Sequence, residues 1–171
     1  YVQEQKLLAS DGAAIDRFGT SVSISGDVAL VGAEGDDNAK GSAYVFRWNG
    51  SSYVQDQKLL ASDGAAIDGF GGGVSISGNV ALVGAPRALN NDIEMGSAYV
   101  FRWNGSNWVQ EQKLLASDGY AGNGFGTSVS ISGDVVLVGD PYALNNRTNS
   151  GSAYVFRWNG SSWVQEQKLL A

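Results

Sequence analysis

The chain is 171 residues long, enough for one domain with a real core, and 43% of it is hydrophobic, as in an ordinary globular protein. Its formal charge of −6, with Lys and Arg single and evenly spread, excludes a nucleic-acid surface, because nothing clusters to neutralise phosphates. No apolar run approaches the ~20 residues that span a bilayer, and no signal-like stretch opens the chain, as would hold for a mature or an excised fragment alike. With no Cys, disulfides give no redox compartment; with no His, the commonest general base and the commonest transition-metal ligand are both missing.

Internal repetition is the strongest signal. YVQEQKLLASDG at Tyr1–Gly12 recurs from Tyr53 and from Trp108, and WVQEQKLLA closes the chain at Trp163–Ala171, with spacings of 52, 55 and 55 residues. Copies this similar fit recent amplification or an engineered repeat. Within one repeat the pattern predicts four strands. Strand a, Thr20–Ser25, alternates Val22 and Ile24 with Ser21, Ser23 and Ser25, the period of a pleated strand with one small-residue face. Ser-Gly-Asp/Asn at 25–27, 77–79 and 132–134 supplies a Gly for a tight hairpin. Strand b, Val28–Val31, is apolar throughout and reads as covered on both faces. Strand c, Ser42–Trp48, places Tyr44, Phe46 and Trp48 on one face and Ala43, Val45 and Arg47 on the other. A second hairpin signal follows at Asn49-Gly50, Asn104-Gly105 and Asn159-Gly160. Strand d, Tyr53–Leu60, has Gln55, Asp56, Gln57 and Lys58 in its middle and should be the most solvated, its charges discouraging edge pairing. No segment has a helical period.

Four strands per repeat, graded from small and apolar to polar, predict an all-β fold of propeller blades with a innermost and d outermost. A β-trefoil also has three four-stranded repeats, but shorter ones and without this gradient. The whole chain reads as one repeat domain, 1–171: an extra outer strand at 1–9, then blades at 18–60, 70–115 and 125–171.

Phe-Gly at 18–19, 70–71 and 125–126, with Val-Gly-Ala-Pro at Val83–Pro86, resembles the FG-GAP repeat of integrin α-subunit propellers, and more closely bacterial arrays of such repeats. Copies one and three depart from it, with Val-Gly-Ala-Glu at Val31–Glu34 and Val-Gly-Asp-Pro at Val138–Pro141. The resemblance implies an extracellular or cell-surface origin. It also brings a calcium loop of the D-x-D-x-D-G kind between strands a and b, but the short Ser-Gly-Asp/Asn turn here cannot supply six to eight oxygens, so that site is not carried over. Asp36-Asp37-Asn38 and the pairs Asp11…Asp16 and Asp63…Asp68 offer oxygens elsewhere; with Asn123 in place of Asp16 in the third copy, turn-forming and capping roles are expected of them, and no cofactor.

Closed propellers have four to eight blades, and three would leave two apolar blade faces bare. The expectation is a homodimer closing a six-bladed ring, in which the extra strand Tyr1–Ala9 competes with Trp163–Ala171 for one edge. The a–b and c–d turns are near-invariant, whereas the b–c loops differ: Glu34–Lys40, Pro86–Met95 and Pro141–Ser150. Variation concentrated in loops on a rigid scaffold marks a binding face or unconstrained drift, and Arg87, Asn90, Asn91, Asp92, Tyr142, Asn145, Asn146 and Arg147 are its candidate residues. A sugar-binding reading rests on Trp48, Trp103 and Trp158 with nearby Asn and Arg, against the plainer reading that they fill space between blades. Asn49, Asn104, Asn159 and Asn146 lie in N-x-S/T sequons, the first three being better explained as hairpin residues. For catalysis the inventory offers only Ser, Lys and carboxylates, with Glu4, Asp56, Glu111 and Glu166 one per copy and too far apart for a dyad, so no catalytic residue is expected. The function expected is a non-enzymatic scaffold for a protein or ligand, with a lectin-like propeller or a purely structural fragment as alternatives.

Overall fold

The computed structural model describes residues 2–145 and 148–170. Strands β1 (Phe18–Ser25), β2 (Val28–Ala33), β3 (Ser42–Trp48) and β4 (Tyr53–Leu59) form the first sheet in simple antiparallel order. Between β2 and β3, residues Asp36–Ala39 form α1, in which Asp37, Asn38 and Ala39 take φ of 49°, 58° and 61°. This is a left-handed turn rather than a regular helix, and short polar side chains tolerate it best. The second sheet is β5 (Gly73–Ser77), β6 (Val80–Ala85), β9 (Ser97–Trp103) and β10 (Trp108–Leu114), with the small hairpin β7 (Leu89–Asn90) and β8 (Ile93–Glu94) inserted. The third is β11 (Ser128–Ser132), β12 (Val135–Asp140), β15 (Ser152–Trp158) and β16 (Trp163–Leu170), with β13 (Leu144–Asn145) and β14 (Thr148–Asn149) as the matching insertion. The protein is therefore all-β, three blades of four strands. Strand c has the predicted bounds, while strands a and b extend by two residues over Phe-Gly and Gly-Ala.

The described residues of the expected extra outer strand, 2–9, join no ladder. A strand forms only when a neighbour takes its N–H and C=O groups, and no strand c lies beside this segment. It is nonetheless docked: Leu7 and Ala9 pack on the cluster of Ala29, Val31, Tyr44 and Phe46.

Alternation along strand c sorts the core. Ala43 and Val45 pack toward blade two, while Tyr44 and Phe46 turn to the opposite face and hold Phe18 edge-on at 5.5 and 6.0 Å. Phe70 and Phe125 repeat that contact and are fully buried. The following glycine brings blades together. Gly71 has φ of +92°, and a Cβ on it would strike the Ser42 carbonyl oxygen of the preceding blade. Gly84, from the Val-Gly-Ala end of β6, faces the Gly126 carbonyl of blade three so closely that any Cβ would overlap it. Strand β5 lies between β1 and β11, and there the Ser face does more than permit close packing. Ser23 and Ser25 accept from Ile76 N and Gly78 N at 3.1 and 3.0 Å, and Ser75 and Ser77 accept from Ile131 N and Gly133 N at 3.1 and 3.3 Å.

Because the atoms nearest the missing Cβ are all backbone of Gly126, nothing flexible can yield at Gly84. Gly84→Ala is expected to destabilise by ~3 kcal/mol, as overpacking a close-packed interior does. Gly12→Ala, where the new carbon meets only ordinary contacts at 3.5 Å, is the control and should leave the urea midpoint unchanged or slightly raised.

Candidate functional site

The blades are joined by a polar set that repeats at every junction. Each outer strand carries a β-bulge: opposite Val45 and Phe46 stand Gln57 and Gln55, leaving Asp56 unpaired, and the same shift occurs around Glu111 and Glu166. The bulge breaks the period of two, so glutamines two residues apart serve opposite neighbours. Gln55 reaches back, its Oε1 accepting from Ser10 N at 2.9 Å and its Nε2 donating to Ser10 Oγ at 3.0 Å. Gln57 reaches forward, its Nε2 donating to Trp108 O at 2.8 Å and its Oε1 accepting from Trp108 N at 2.7 Å. Gln112 does the same to Trp163, and Gln5 to Tyr53. Each primary amide thereby imitates a strand partner and covers backbone groups on the exposed edge of the next outer strand.

A charged pin accompanies each clasp. Lys58 Nζ donates to Asp11 Oδ2 at 2.6 Å and Tyr44 Oη donates to Asp11 Oδ1 at 2.9 Å; Asp63 with Lys113 and Tyr99, and Asp118 with Lys168 and Tyr154, repeat it. In blade one the buried Asp36 joins, paired with Lys58 at 2.6 Å and accepting from Ser42 Oγ. The hydrogen bond from Lys58 holds the Asp11 carboxyl below the usual range. At Asp63 and Asp118 burial works to raise the carboxyl, but hydrogen bonds from the lysine and the tyrosine outweigh it and lower both. Burial pushes the Tyr44 phenol up to about 12. Of the carboxylates weighed as oxygen ligands, Asp11, Asp36 and Asp63 are thus engaged by ammonium groups, while Asp16 and Asp68 cap their own turns through Ala13 N and Ala65 N at 2.6 and 2.8 Å. Among the described residues no three Asp or Glu side chains gather as a metal site would need.

The tryptophans are packing elements. Arg47 covers Trp103 at 4.6 Å and Arg102 covers Trp158 at 4.8 Å, each from the preceding blade, which leaves little ring face for a sugar. Trp48, which has no blade before it, rests on Tyr53 at 5.4 Å. Asn49, Asn104 and Asn159 close their hairpins, each Oδ1 accepting from two backbone N–H groups.

The b–c and d–a loops line two adjoining clefts. One, of about 440 Å³, is walled by Pro86, Arg87, Glu94, Asn123 and Tyr142; the other, of about 510 Å³, by Arg17, Asn38 and Arg87, and Glu34 borders both. Arg87 and Tyr142 thus meet at one cleft, with Arg87 steadied by donation from its Nε to Ile67 O at 2.7 Å. Asn90 instead turns inward, donating to Gly96 O at 3.0 Å and Ser97 Oγ at 3.3 Å. Asn91 and Asp92 form the exposed tip of the β7–β8 hairpin at positive φ, Asn145 ends β13, and Asn146 and Arg147 lie outside the described residues. Glu34, Glu94 and Asn123 were not singled out by sequence, since the first two sit in loops of differing length and the third read as a failed copy of Asp16. In the third copy Asp140 replaces alanine. Its buried Oδ1 accepts from Gly124 N at 2.9 Å and Tyr142 N at 3.3 Å, its Oδ2 has no partner, and burial raises its pKa.

Glycines of Phe-Gly pressed against glycines of Val-Gly-Ala, at both junctions, are what decide the family. The chain belongs to the FG-GAP repeat family. The match covers residues 1–46, 53–101 and 108–156, so each FG-GAP unit begins on an outer segment and ends in strand c of the following blade. The sequence unit is therefore offset from the blade, and the clasps, the lysine of each pin and the glycine contacts tie one unit to the next. No curated protein matches the chain. No helix among the described residues of this FG-GAP chain is long and apolar enough to cross a membrane.

One junction is less complete than the other. Glu111 binds Arg102 through both oxygens at 2.6 and 3.0 Å and also accepts from Trp163 Nε1 at 3.0 Å, whereas Asp56, one methylene shorter, meets Arg47 at 3.2 Å and leaves the buried Trp108 Nε1 unpaired. Asp56→Glu is expected to stabilise by ~1 kcal/mol, read as a rise in thermal midpoint. The pins set the acid and alkaline limits. A carboxylate whose native pKa lies below its unfolded value stabilises the fold above that value and loses this as pH falls, so stability should drop below about pH 4 and Asp63→Asn should flatten the drop, with Asp140 opposing it. Tyr44 acts at the other limit: stability should fall as pH rises from about 10 towards 12, with urea midpoints across pH as the measure.

Proposed function

We propose that the chain is a non-enzymatic binding scaffold whose three FG-GAP blades pair with a second copy to close a six-bladed ring, with recognition on the b–c/d–a loop face. The observation that carries this reading is the state of the two end faces. Val22 and Ile24 of blade one are 70% and 64% exposed where their counterparts Val74 and Ile76 are 8% and 5%, and Leu137 of blade three is 39% exposed where Leu30 and Leu82 are fully buried. Such contiguous apolar surface marks an interface. The loop face is supported by the cleft that Arg87 shares with Tyr142, and by loops that vary in length while the opposite turns do not. Against catalysis, three lysines of the outer strands are held in ion pairs with aspartates, and serines of the inner strands β1 and β5 are spent on contacts between blades. Family membership favours a site of action outside the cell or at its surface. A lectin-like role is the second reading, and it would use the loop cleft, since arginines cover two of the tryptophans.

Light scattering should give twice 17.9 kDa in solution; a stable folded monomer of 17.9 kDa would overturn the pairing. On a glycan array, with and without added calcium, any bound glycan should lose at least tenfold in affinity with Arg87→Ala or Tyr142→Ala. Retention of that binding by both variants would remove the loop face as the site.

A further inference from the structure

Three departures from the repeat meet at the loop cleft that Arg87 shares with Tyr142. Asn123 stands where the other copies carry Asp16 and Asp68, whose carboxylates cap their own turns. It is 5% exposed and lines the cleft, and among the described residues its side-chain amide makes no hydrogen bond. A polar side chain so far from water is costly unless something entering the cleft supplies its partners. Gly72 stands where the other copies carry Thr20 and Thr127, whose hydroxyls donate to Arg17 O and Gly124 O at 2.8 and 2.7 Å. With no side chain there, room is left beside Glu34: a Cβ would stand 3.3 Å from Glu34 Oε2 and 3.5 Å from Pro86 Cδ. Lastly, Arg17 of blade one gives way to Gly69 and Gly124, and on these glycines lie the residues that follow the two prolines. A Cβ on Gly69 would meet the Arg87 guanidinium at 2.6 Å, and one on Gly124 would meet the Tyr142 ring at 3.1 Å.

We infer that this cleft is a site for a neutral saccharide, in which the Asn123 amide pairs with hydroxyls of the ligand. This rests on recognition by the loop face proposed above and gives that face a ligand class. An amide offers donors and an acceptor where the aspartates of the other copies only accept, and a sugar hydroxyl uses both. Arg87 and Glu94 form no ion pair among the described residues, and Glu34 is held by Arg17 at 2.9 Å. Two arginines against two glutamates leave the walls of the adjoining clefts without net charge. Hydroxyls that accept from the guanidinium and donate to a carboxylate fit that balance, whereas an acidic ligand would meet Glu34 and Glu94. Tyr142, 59% exposed, sets an aromatic ring beside these polar groups, as the C–H face of a pyranose requires. At about 440 Å³ the cleft has the size of a small-ligand site. The apolar side chains of a peptide would find little there but Pro86 and that ring.

Two of the departures can be reversed with residues this fold already holds at the equivalent positions, so the variants test the site rather than the fold. On an array of neutral and acidic glycans the whole chain should bind a neutral one. Asn123→Asp should weaken that binding at least about tenfold by removing the donor, and Gly72→Thr should do the same by filling the room beside Glu34. Urea midpoints equal to that of the parent chain show that both variants stay folded. Retention of the binding by Asn123→Asp, or binding confined to acidic glycans, overturns the inference; where Arg87→Ala still abolishes that binding, recognition on the loop face survives. An array on which the folded chain binds nothing also overturns the saccharide site, and leaves the loop face to a protein partner.

Discussion

Backbone meeting backbone between blades is the contact on which this structure depends. Gly32 faces the Gly71 carbonyl and Gly84 faces the Gly126 carbonyl, each so closely that any side chain would intrude. That approach sets the distance between sheets near the axis, and the rest follows from it. Strand a must carry serine, because only a small side chain fits where β5 lies between β1 and β11, and its hydroxyl then accepts the N–H that the close approach presents. The large rings of Phe70, Tyr99 and Phe101 fill the space that opens outward as the blades diverge. Val-Gly-Ala of one repeat and Phe-Gly of the next are two sides of one junction.

At the outer rim the blades are too far apart for backbone contact, and long side chains take over. The bulge at Asp56, Glu111 and Glu166 is what makes this possible. In an unbroken strand the glutamines at 55 and 57 would share a face; with one residue inserted they reach opposite neighbours, and the inserted carboxylate turns to the arginine of strand c. The same geometry answers the hazard of an outermost strand, since the clasping amides occupy backbone groups that another chain could pair with. Charge on strand d, which sequence suggested as the safeguard, is absorbed in pins and ion pairs.

Period and turn chemistry are local, so blades, hairpins and the two faces of strand c could be read from residues within a few positions of one another. Junctions are not local. Asp11 meets Tyr44 and Lys58 across 33 and 47 residues, and nothing in SDG by itself separates a pin from a turn, although its recurrence at 63 and 118 was a usable signal. The failure of residues 2–9 to form a strand has the same origin: their pattern matches β4 and β16, but a ladder needs a neighbour that pattern cannot supply. On the loop face, Arg87, Tyr142 and Asn90 stood out alike because their loops vary, yet the first two line one cleft while the amide of Asn90 turns inward to serve its own loop. Variation marks where a chain is free to change; it does not say which way a side chain points.

Offset between sequence unit and blade has a further consequence. Since each FG-GAP unit joins the outer segment of one blade to the inner three strands of the next, the polypeptide crosses a junction within every unit, and neighbouring blades share a covalent as well as a packed connection. Stability is then carried by nearest neighbours, as in other repeat arrays, and a junction tolerates no change at its glycines, whereas the b–c loops meet the next blade through backbone carbonyls, Asn38 O, Ala39 O and Lys40 O accepting from Ile67 N, Gly69 N and Phe70 N, and leave side chains freer to vary. In the third copy Asp140 shows how far that freedom runs: an ionisable side chain stands in the wall of the blade, tied to Gly124 and Tyr142, with one oxygen unpaired, and the junction beside it keeps its form. Architecture is thereby fixed where backbones touch, and variety in length and side chain is left to the loops between strands b and c.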